Sequence, residues 1–226
     1  MKKFLTAILC AVMLCSSAAA FTIEDISSEE IFTPEFIEKE AAELEKQKEQ
    51  EQASQVLVFT DVPATAYYYQ PVMWAVANGI TSGTTATTFS PNNTCTNAHI
   101  LTFMWRAAGS PEPAGKSPFT NLTGQEYYAK AAMWAYEKGM ISGTTFDASK
   151  ACTRAMTMEY FWKQAGSPKT AISDKFTDVP ATASYAQAVA WGVANGVTAG
   201  TSDSTFSPDN TCTRGQIVTF LYRALV

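Results

Sequence analysis

Phe59-Thr60-Asp61-Val62-Pro63-Ala64-Thr65-Ala66 returns almost unchanged as Phe176-Thr177-Asp178-Val179-Pro180-Ala181-Thr182-Ala183, an offset of 117 residues (176 − 59). The offset holds without a gap to the end of the chain. It carries Trp74 to Trp191, Asn78-Gly79 to Asn195-Gly196, Gly83 to Gly200, Phe89-Ser90-Pro91 to Phe206-Ser207-Pro208, Cys95 to Cys212 and Arg106 to Arg223. A more diverged middle copy starts at Phe119 with an offset of 60, matching Trp134, Gly139 and Gly143 to Trp74, Gly79 and Gly83. From Phe146 onward the offset is 57, which aligns Phe146, Cys152 and Gly166 with Phe89, Cys95 and Gly109. The three-residue loss thus falls between Gly143 and Phe146. Loops absorb such changes and packed helices do not, so the loss marks a loop. Internal repetition on this scale decides the fold: three copies, at 59–116, 117–173 and 174–226.

Within a copy the pattern reads helix, loop, helix. The first helix is expected from about Tyr67 to Asn78, with Tyr69, Val72, Met73 and Val76 at helical spacing, Pro71 tolerated near its start, and Gly79 just past its end. The Thr-, Ser-, Gly- and Asn-rich stretch from Ile80 to Thr94 reads as irregular loop. Thr96 then caps a second helix whose apolar face is Ile100, Phe103, Met104 and Ala107, stopped by Gly109. Thr213 and Gln216 form a Thr-x-x-Gln capping box in the third copy; His99 and Met156 stand in place of that Gln elsewhere, and those two helices are expected to begin less firmly. Two short helices cannot enclose a core, so the copies are expected to bury their apolar faces against one another. Phe59, Phe119 and Phe176, with Trp74, Trp134 and Trp191, are read as shared core.

Ahead of the repeats, Lys2-Lys3, the apolar run Phe4–Leu14 and the small residues up to Ala20 have the order of a secretory signal over residues 1–20, so the chain is expected to be exported. Residues 21–58 hold eleven acidic residues and three lysines, a net charge of 3 − 11 = −8. This stretch reads as an acidic, solvated helical spacer, and 24–55 is the segment expected to hold a protein partner or to self-associate. From Phe59 onward ten acidic and eleven basic residues nearly cancel. A near-neutral body has no broad basic face, which argues against nucleic acid. No segment after the signal is apolar for long enough to be expected to cross a membrane. One histidine and no Cys-x-x-Cys spacing give no expectation of a metal or cofactor.

The unit is similar to the S-layer homology family: Phe-x-Asp-Val, a helix with Trp and a trailing Asn-Gly, a loop Gly followed by Phe-x-Pro, and Thr-Arg opening a second helix. The resemblance spans Phe59 to Val226. It implies a mainly α fold, three helix-loop-helix repeats in a pseudo-threefold spindle. Its implied role is noncovalent attachment to secondary cell-wall polysaccharide, often carrying a pyruvate-bearing sugar, at the bacterial wall or surface layer. The family's second helix opens Thr-Arg, a small residue, then Glu. Thr153-Arg154-Ala155 and Thr213-Arg214-Gly215 keep the arginine, the first copy has Thr96-Asn97-Ala98, and the Glu is absent from all three. The implied ligand residues are Arg154 and Arg214, with Thr153 and Thr213 capping behind them, Trp74, Trp134 and Trp191 shaping the grooves, and Gly83, Gly143 and Gly200 letting backbone approach a ligand. A helix start with its free amides and an arginine would form a compact anion trap suited to a carboxylate. Cys95, Cys152 and Cys212 stand where the family has a buried aliphatic residue, so three free, buried, unreactive thiols are expected.

An enzyme is not expected. His99 has no counterpart in the other copies. The repeated acids Asp61 and Asp178 become Asn121 in the middle copy and are read as local caps, not as a hydrolytic carboxylate pair. The alternative to wall attachment is a structural envelope component or adaptor working through the N-terminal helix.

Overall fold

A computed structural model of the chain describes residues 59–226 together with 38–39, 41–43 and 45. The latter six are helical and exposed, and belong to a unit distinct from the one formed by Leu57–Val226. The signal at 1–20 and the rest of the spacer lie outside the described residues.

Residues 59–226 contain six helices, two per copy: α1 Tyr69–Ala77, α2 Asn97–Ala107, α3 Ala129–Glu137, α4 Arg154–Gln164, α5 Ala186–Ala194 and α6 Arg214–Leu225. The mainly helical class read from the repeats is what is found. Among the described residues the only β pairing is three isolated antiparallel bridges, Thr94 with Thr213, Thr96 with Ala151, and Thr153 with Thr211. Each first helix ends where glycine can take a left-handed conformation, at Gly79, Gly139 and Gly196 (φ +66°, +68° and +70°). Asn78 and Asn195 reinforce two of these stops by donating from Nδ2 to the Trp74 and Trp191 carbonyls, each at 2.8 Å.

The second helices start as expected on threonine caps, but their relative firmness needs correcting. In α6 the box is reciprocal: the Gln216 amide donates to Thr213 Oγ1 and the Thr213 amide to Gln216 Oε1 (3.4 and 3.1 Å). In α2 the Thr96 amide donates to His99 Nδ1 at 3.3 Å, so neutral His99 supplies the return bond that Gln supplies in α6. Only α4 lacks it; there the Met156 amide donates to Thr153 Oγ1 with nothing returned.

Packing follows the seams between copies. α2 lies against α3, α4 against α5, and α6 returns to α1, so every second helix packs on the first helix of the following copy. A hydrogen-bond ring closes in the same sense: the Cys95 amide donates to the Cys212 carbonyl, Cys152 to Cys95, and Cys212 to Cys152, at 2.8, 2.9 and 2.8 Å. One contiguous core fills the centre, including Phe89, Phe206, Ile100, Met104, Met158, Ile217 and Leu221, all fully buried. Phe59, Phe119, Phe176 and Trp134 are core as expected. Trp74 and Trp191 are only half-buried at its rim, Trp74 presenting an edge contact to Tyr222 of α6 at 5.6 Å.

The repeated acids are not local caps. Asp61 reaches across the copy to accept from the Phe89 and Ser90 amides at 2.8 and 2.7 Å, and Asp178 does the same for Phe206 and Ser207 at 2.8 and 2.7 Å. The two serines sit at φ +57° and +59°, a conformation a non-glycine residue avoids unless held there. In the middle copy Asn121 accepts from the Phe146 amide at 3.0 Å and donates to its carbonyl at 2.9 Å, a neutral version of the same staple.

Candidate functional site

Every second helix starts inside a seam, and its first two amides are consumed there. Arg154 and Ala155 donate to the Asn210 and Pro208 carbonyls, Arg214 and Gly215 to Asn93 and Pro91, and Asn97 and Ala98 to Lys150 and Ala148, all at 2.9–3.1 Å. The expectation of free helix-start amides waiting for an anion is therefore corrected: loop carbonyls of the following copy satisfy them. What is left at the seam is the side chain.

Arg154 is 5% exposed and Arg214 7% exposed. Arg154 Nε donates to the Phe206 carbonyl at 2.8 Å and Nη2 to Thr198 Oγ1 at 3.4 Å, while its Cζ lies 4.8 Å from the Phe206 ring centre and 5.5 Å from that of Phe220. Arg214 repeats this one seam further on, donating from Nε to the Phe89 carbonyl at 3.0 Å and from Nη2 to the Ser82 carbonyl at 2.9 Å, over Phe89 (4.6 Å) and Phe103 (5.5 Å). Neither guanidinium has a carboxylate within ion-pair distance; the one ion pair among the described residues is Lys130 with Glu112. Burial pulls both guanidinium pKa values down, against the opposing fields of a neighbouring thiol, tyrosine and aspartate. A buried cation without a partner costs several kcal/mol, offset here by carbonyl dipoles and aromatic faces. In both residues Nη1 makes no bond to the described residues, and neither is sealed from solvent. The two seams that carry an arginine thus each hold a desolvated cation with one donor edge unspent.

Other candidates divide. Thr153 and Thr213 cap α4 and α6 directly behind the arginines. Gly83 and Gly200 are packed against their own copy: an added Cβ would come within 2.6 Å of Phe59 Cε1 or Phe176 Cε1 and would crowd loop carbonyls as well. Gly143, at φ +97°, has no such neighbour. Trp74 packs on α6 across the seam from the third copy to the first, and Trp134 lies in the core. An open groove between the second and third copies is lined by Trp162, Ser167, Lys169, Thr170 and Gln187, none of which was singled out by the repeat motifs.

The three thiols are free and buried, as expected. Burial pushes Cys95 and Cys152 up to about 12 and raises Cys212. Thr157 Oγ1 sits between two of them, 3.3 Å from the Cys152 sulfur and 3.4 Å from that of Cys212. Sequence reasoning missed Tyr160, whose hydroxyl donates to Asn97 Oδ1 at 3.2 Å, and the aromatic rings beneath both arginines.

Among curated proteins, an endoglucanase from Bacillus sp. (strain KSM-635) is 27% identical over 177 residues, 74% of this chain. The chain spans 18% of that relative's length. Residues 58–99 and 175–218, the first and third copies, match the model of the S-layer homology domain, and the middle copy, built on the same helix pair, lies outside the matched residues.

Proposed function

We propose that residues 59–226 form a pseudo-threefold body that attaches noncovalently to secondary cell-wall polysaccharide, holding the protein at the bacterial cell surface. S-layer homology domains anchor surface proteins to the cell wall, and two stretches of this chain match that domain. The cyclic helix pairing and the ring of cysteine hydrogen bonds support the threefold reading. The observation that carries the ligand assignment is the pair of buried guanidiniums at the seams, each stacked on phenylalanine, unpaired with carboxylate, and left with a free donor edge. A sugar bearing a carboxylate, such as a pyruvyl ketal, supplies the missing anion and accepts from that edge. Thr153 and Thr213 fix the helix starts that aim the arginines, and the half-buried Trp74 and Trp191 wall the grooves. The fold contributes a binding surface, with no chemical step assigned to it.

Sedimentation with purified cell-wall sacculi tests this. The wild-type protein is expected to pellet with intact sacculi and to stay in solution with sacculi stripped of secondary polysaccharide. The Arg154→Lys/Arg214→Lys pair keeps both charges but loses the planar donor fork, and is expected to bind at least about tenfold more weakly. Undiminished binding by a double variant with a native circular dichroism spectrum refutes the assignment.

A further inference from the structure

The three seams are not alike, and their differences run together. Arg214 shares Phe89 with Asp61 and lies over Phe103, both of the first copy; Arg154 shares Phe206 with the equivalent Asp178 and lies over Phe220, both of the third. At the remaining seam the arginine position is Asn97, the aspartate position is Asn121 and the phenylalanine position is Tyr160. These replacements fit one another. Asn97 donates to the Asp147 carbonyl at 3.1 Å and accepts from the Tyr160 hydroxyl at 3.2 Å, so the added hydroxyl answers the shortened side chain, and no cation remains for a carboxylate to balance.

A fourth position joins this set, contributed by the copy not yet counted at each seam. Tyr67 precedes α1, which packs on α6, the helix carrying the Phe220 ring beneath Arg154. Tyr127 precedes α3, which packs on α2, carrying the Phe103 ring beneath Arg214. The charges of Arg154 and Arg214 act on the Tyr67 and Tyr127 hydroxyls respectively. Both tyrosines are unusually open for large aromatics, 61% and 58% exposed. Each is braced edge-on by the next residue, Tyr67 on Tyr68 at 4.9 Å and Tyr127 on Tyr128 at 5.0 Å. At the Asn97 seam the equivalent residue is Ser184 (67 + 117), which offers no ring.

Resting on the wall-binding reading, we propose that the protein has two equivalent glycan grooves, each assembled from all three copies, in which the arginine takes the carboxylate of an acidic sugar and Tyr67 or Tyr127 presents its face to a sugar ring, while the Asn97 seam is a closed structural joint that takes no ligand. A braced, exposed aromatic at the mouth of a cationic groove suits a pyranose, whose C–H face is apolar while its hydroxyls remain wet. Four coordinated changes, one or more from each copy, separate the joint from the grooves, so binding follows seams and not copies.

Calorimetric titration with a pyruvylated disaccharide cut from wall glycan, and with its depyruvylated form, tests the proposal. Wild type is expected to bind two pyruvylated molecules and neither site to take the depyruvylated form with comparable affinity. Tyr67→Ala should weaken one site about five- to tenfold, and Tyr67→Ala with Tyr127→Ala both. These residues are exposed, so the fold survives, as circular dichroism will verify. Asn97→Arg with Asn121→Asp, Tyr160→Phe and Ser184→Tyr should open a third site. Three equal sites in wild type overturn the inference while leaving wall attachment standing, and tyrosine variants that bind like wild type overturn the stacking role. Equal affinity for the depyruvylated form overturns the acidic-sugar class. Failure of wild type both to bind either sugar and to pellet with sacculi removes the underlying reading itself.

Discussion

Removing the Asp61 carboxylate should cost the protein much of its loop stability, and the repeats supply an internal control for the size of the effect. Asp61 accepts from the Phe89 and Ser90 amides at 2.8 and 2.7 Å, across 28 and 29 residues of chain. A hydrogen bond to a charged acceptor contributes about 1.5–3 kcal/mol, reduced where water can compete. Asp61 is half-buried, so the two bonds together contribute about 3 kcal/mol, the lower end of their sum. Asp61→Ala also releases Ser90 from its left-handed conformation and loosens the Phe89 carbonyl on which Arg214 Nε rests. Asp178→Ala breaks the same geometry at 2.8 and 2.7 Å and should cost the same. Asn121→Ala removes a neutral pair of bonds, each contributing about 1 kcal/mol, and should cost about 2 kcal/mol at most. For a body of this size about 3 kcal/mol lowers the melting temperature by roughly 6–12 °C. Urea unfolding followed by tryptophan fluorescence measures all three variants. A cost below about 0.5 kcal/mol for Asp61→Ala, the level of an ordinary surface change, refutes the staple; so does an Asn121 variant as damaged as the aspartate variants.

Further outcomes are expected. Burial, with the field of Arg214, holds the His99 pKa below its usual value, so the unfolded chain takes up the proton first as pH falls. Stability is therefore full above about pH 6.5 and declines as pH is lowered through that value; urea midpoints at about pH 7.5 and 5.5 should show it, and His99→Gln should abolish this component. Iodoacetamide at about pH 8 should leave Cys95, Cys152 and Cys212 unlabelled in the native protein and modify all three in denaturant, since burial pushes Cys95 and Cys152 up to about 12; rapid native labelling, read by mass spectrometry, contradicts this. Trp134, 3% exposed, should cost about 3–5 kcal/mol when cut to alanine, and Trp74 and Trp191, at the rim, clearly less; equal melting shifts for the three would remove the distinction.

Residues that serve the interior of one copy were legible in the chain. Gly79 and Gly109 announce helix stops, Thr96 and Thr213 announce starts, and the loss between Gly143 and Phe146 marks a loop, because capping and turn chemistry act over a few residues. What stayed hidden lies at a distance. The Asp61 staple spans 28 residues, whereas in the chain an acid ahead of a helix reads as a cap. The helix-start amides, read as free, are satisfied by carbonyls about 55 residues away or, for Arg214 and Gly215, at the opposite end of the repeats. His99 breaks the Thr-x-x-Gln pattern, yet its imidazole nitrogen accepts from the Thr96 amide at the position where Gln would. Exposure was equally unreadable: equivalence of Trp74, Trp134 and Trp191 in sequence did not bring equal burial, since each faces a different neighbour.

The closed ring changes how divergence between the copies must be interpreted. Compared copy against copy, the differences look scattered: the first lacks the arginine, the middle one lacks the aspartate and has tyrosine for phenylalanine, and the third lacks the exposed tyrosine. Each copy then looks slightly defective, and none looks intact. The helix pairing rearranges the same residues, because α2 meets α3, α4 meets α5 and α6 meets α1, so a seam takes its parts from different copies. Sorted by seam, all four differences fall on the Asn97 seam, and the other two keep arginine, aspartate, phenylalanine and tyrosine. Where an arginine stands, the loop aspartate adds a favourable field from beyond ion-pair distance; beside Asn97 an Asp at 121 would have no cation to act on. Neutral Asn there holds the Phe146 loop through two bonds at no such electrostatic cost, and the Tyr160 hydroxyl fills the hydrogen-bonding demand of Asn97. The physical unit on which these substitutions act is therefore the seam, and the chain order disguises it.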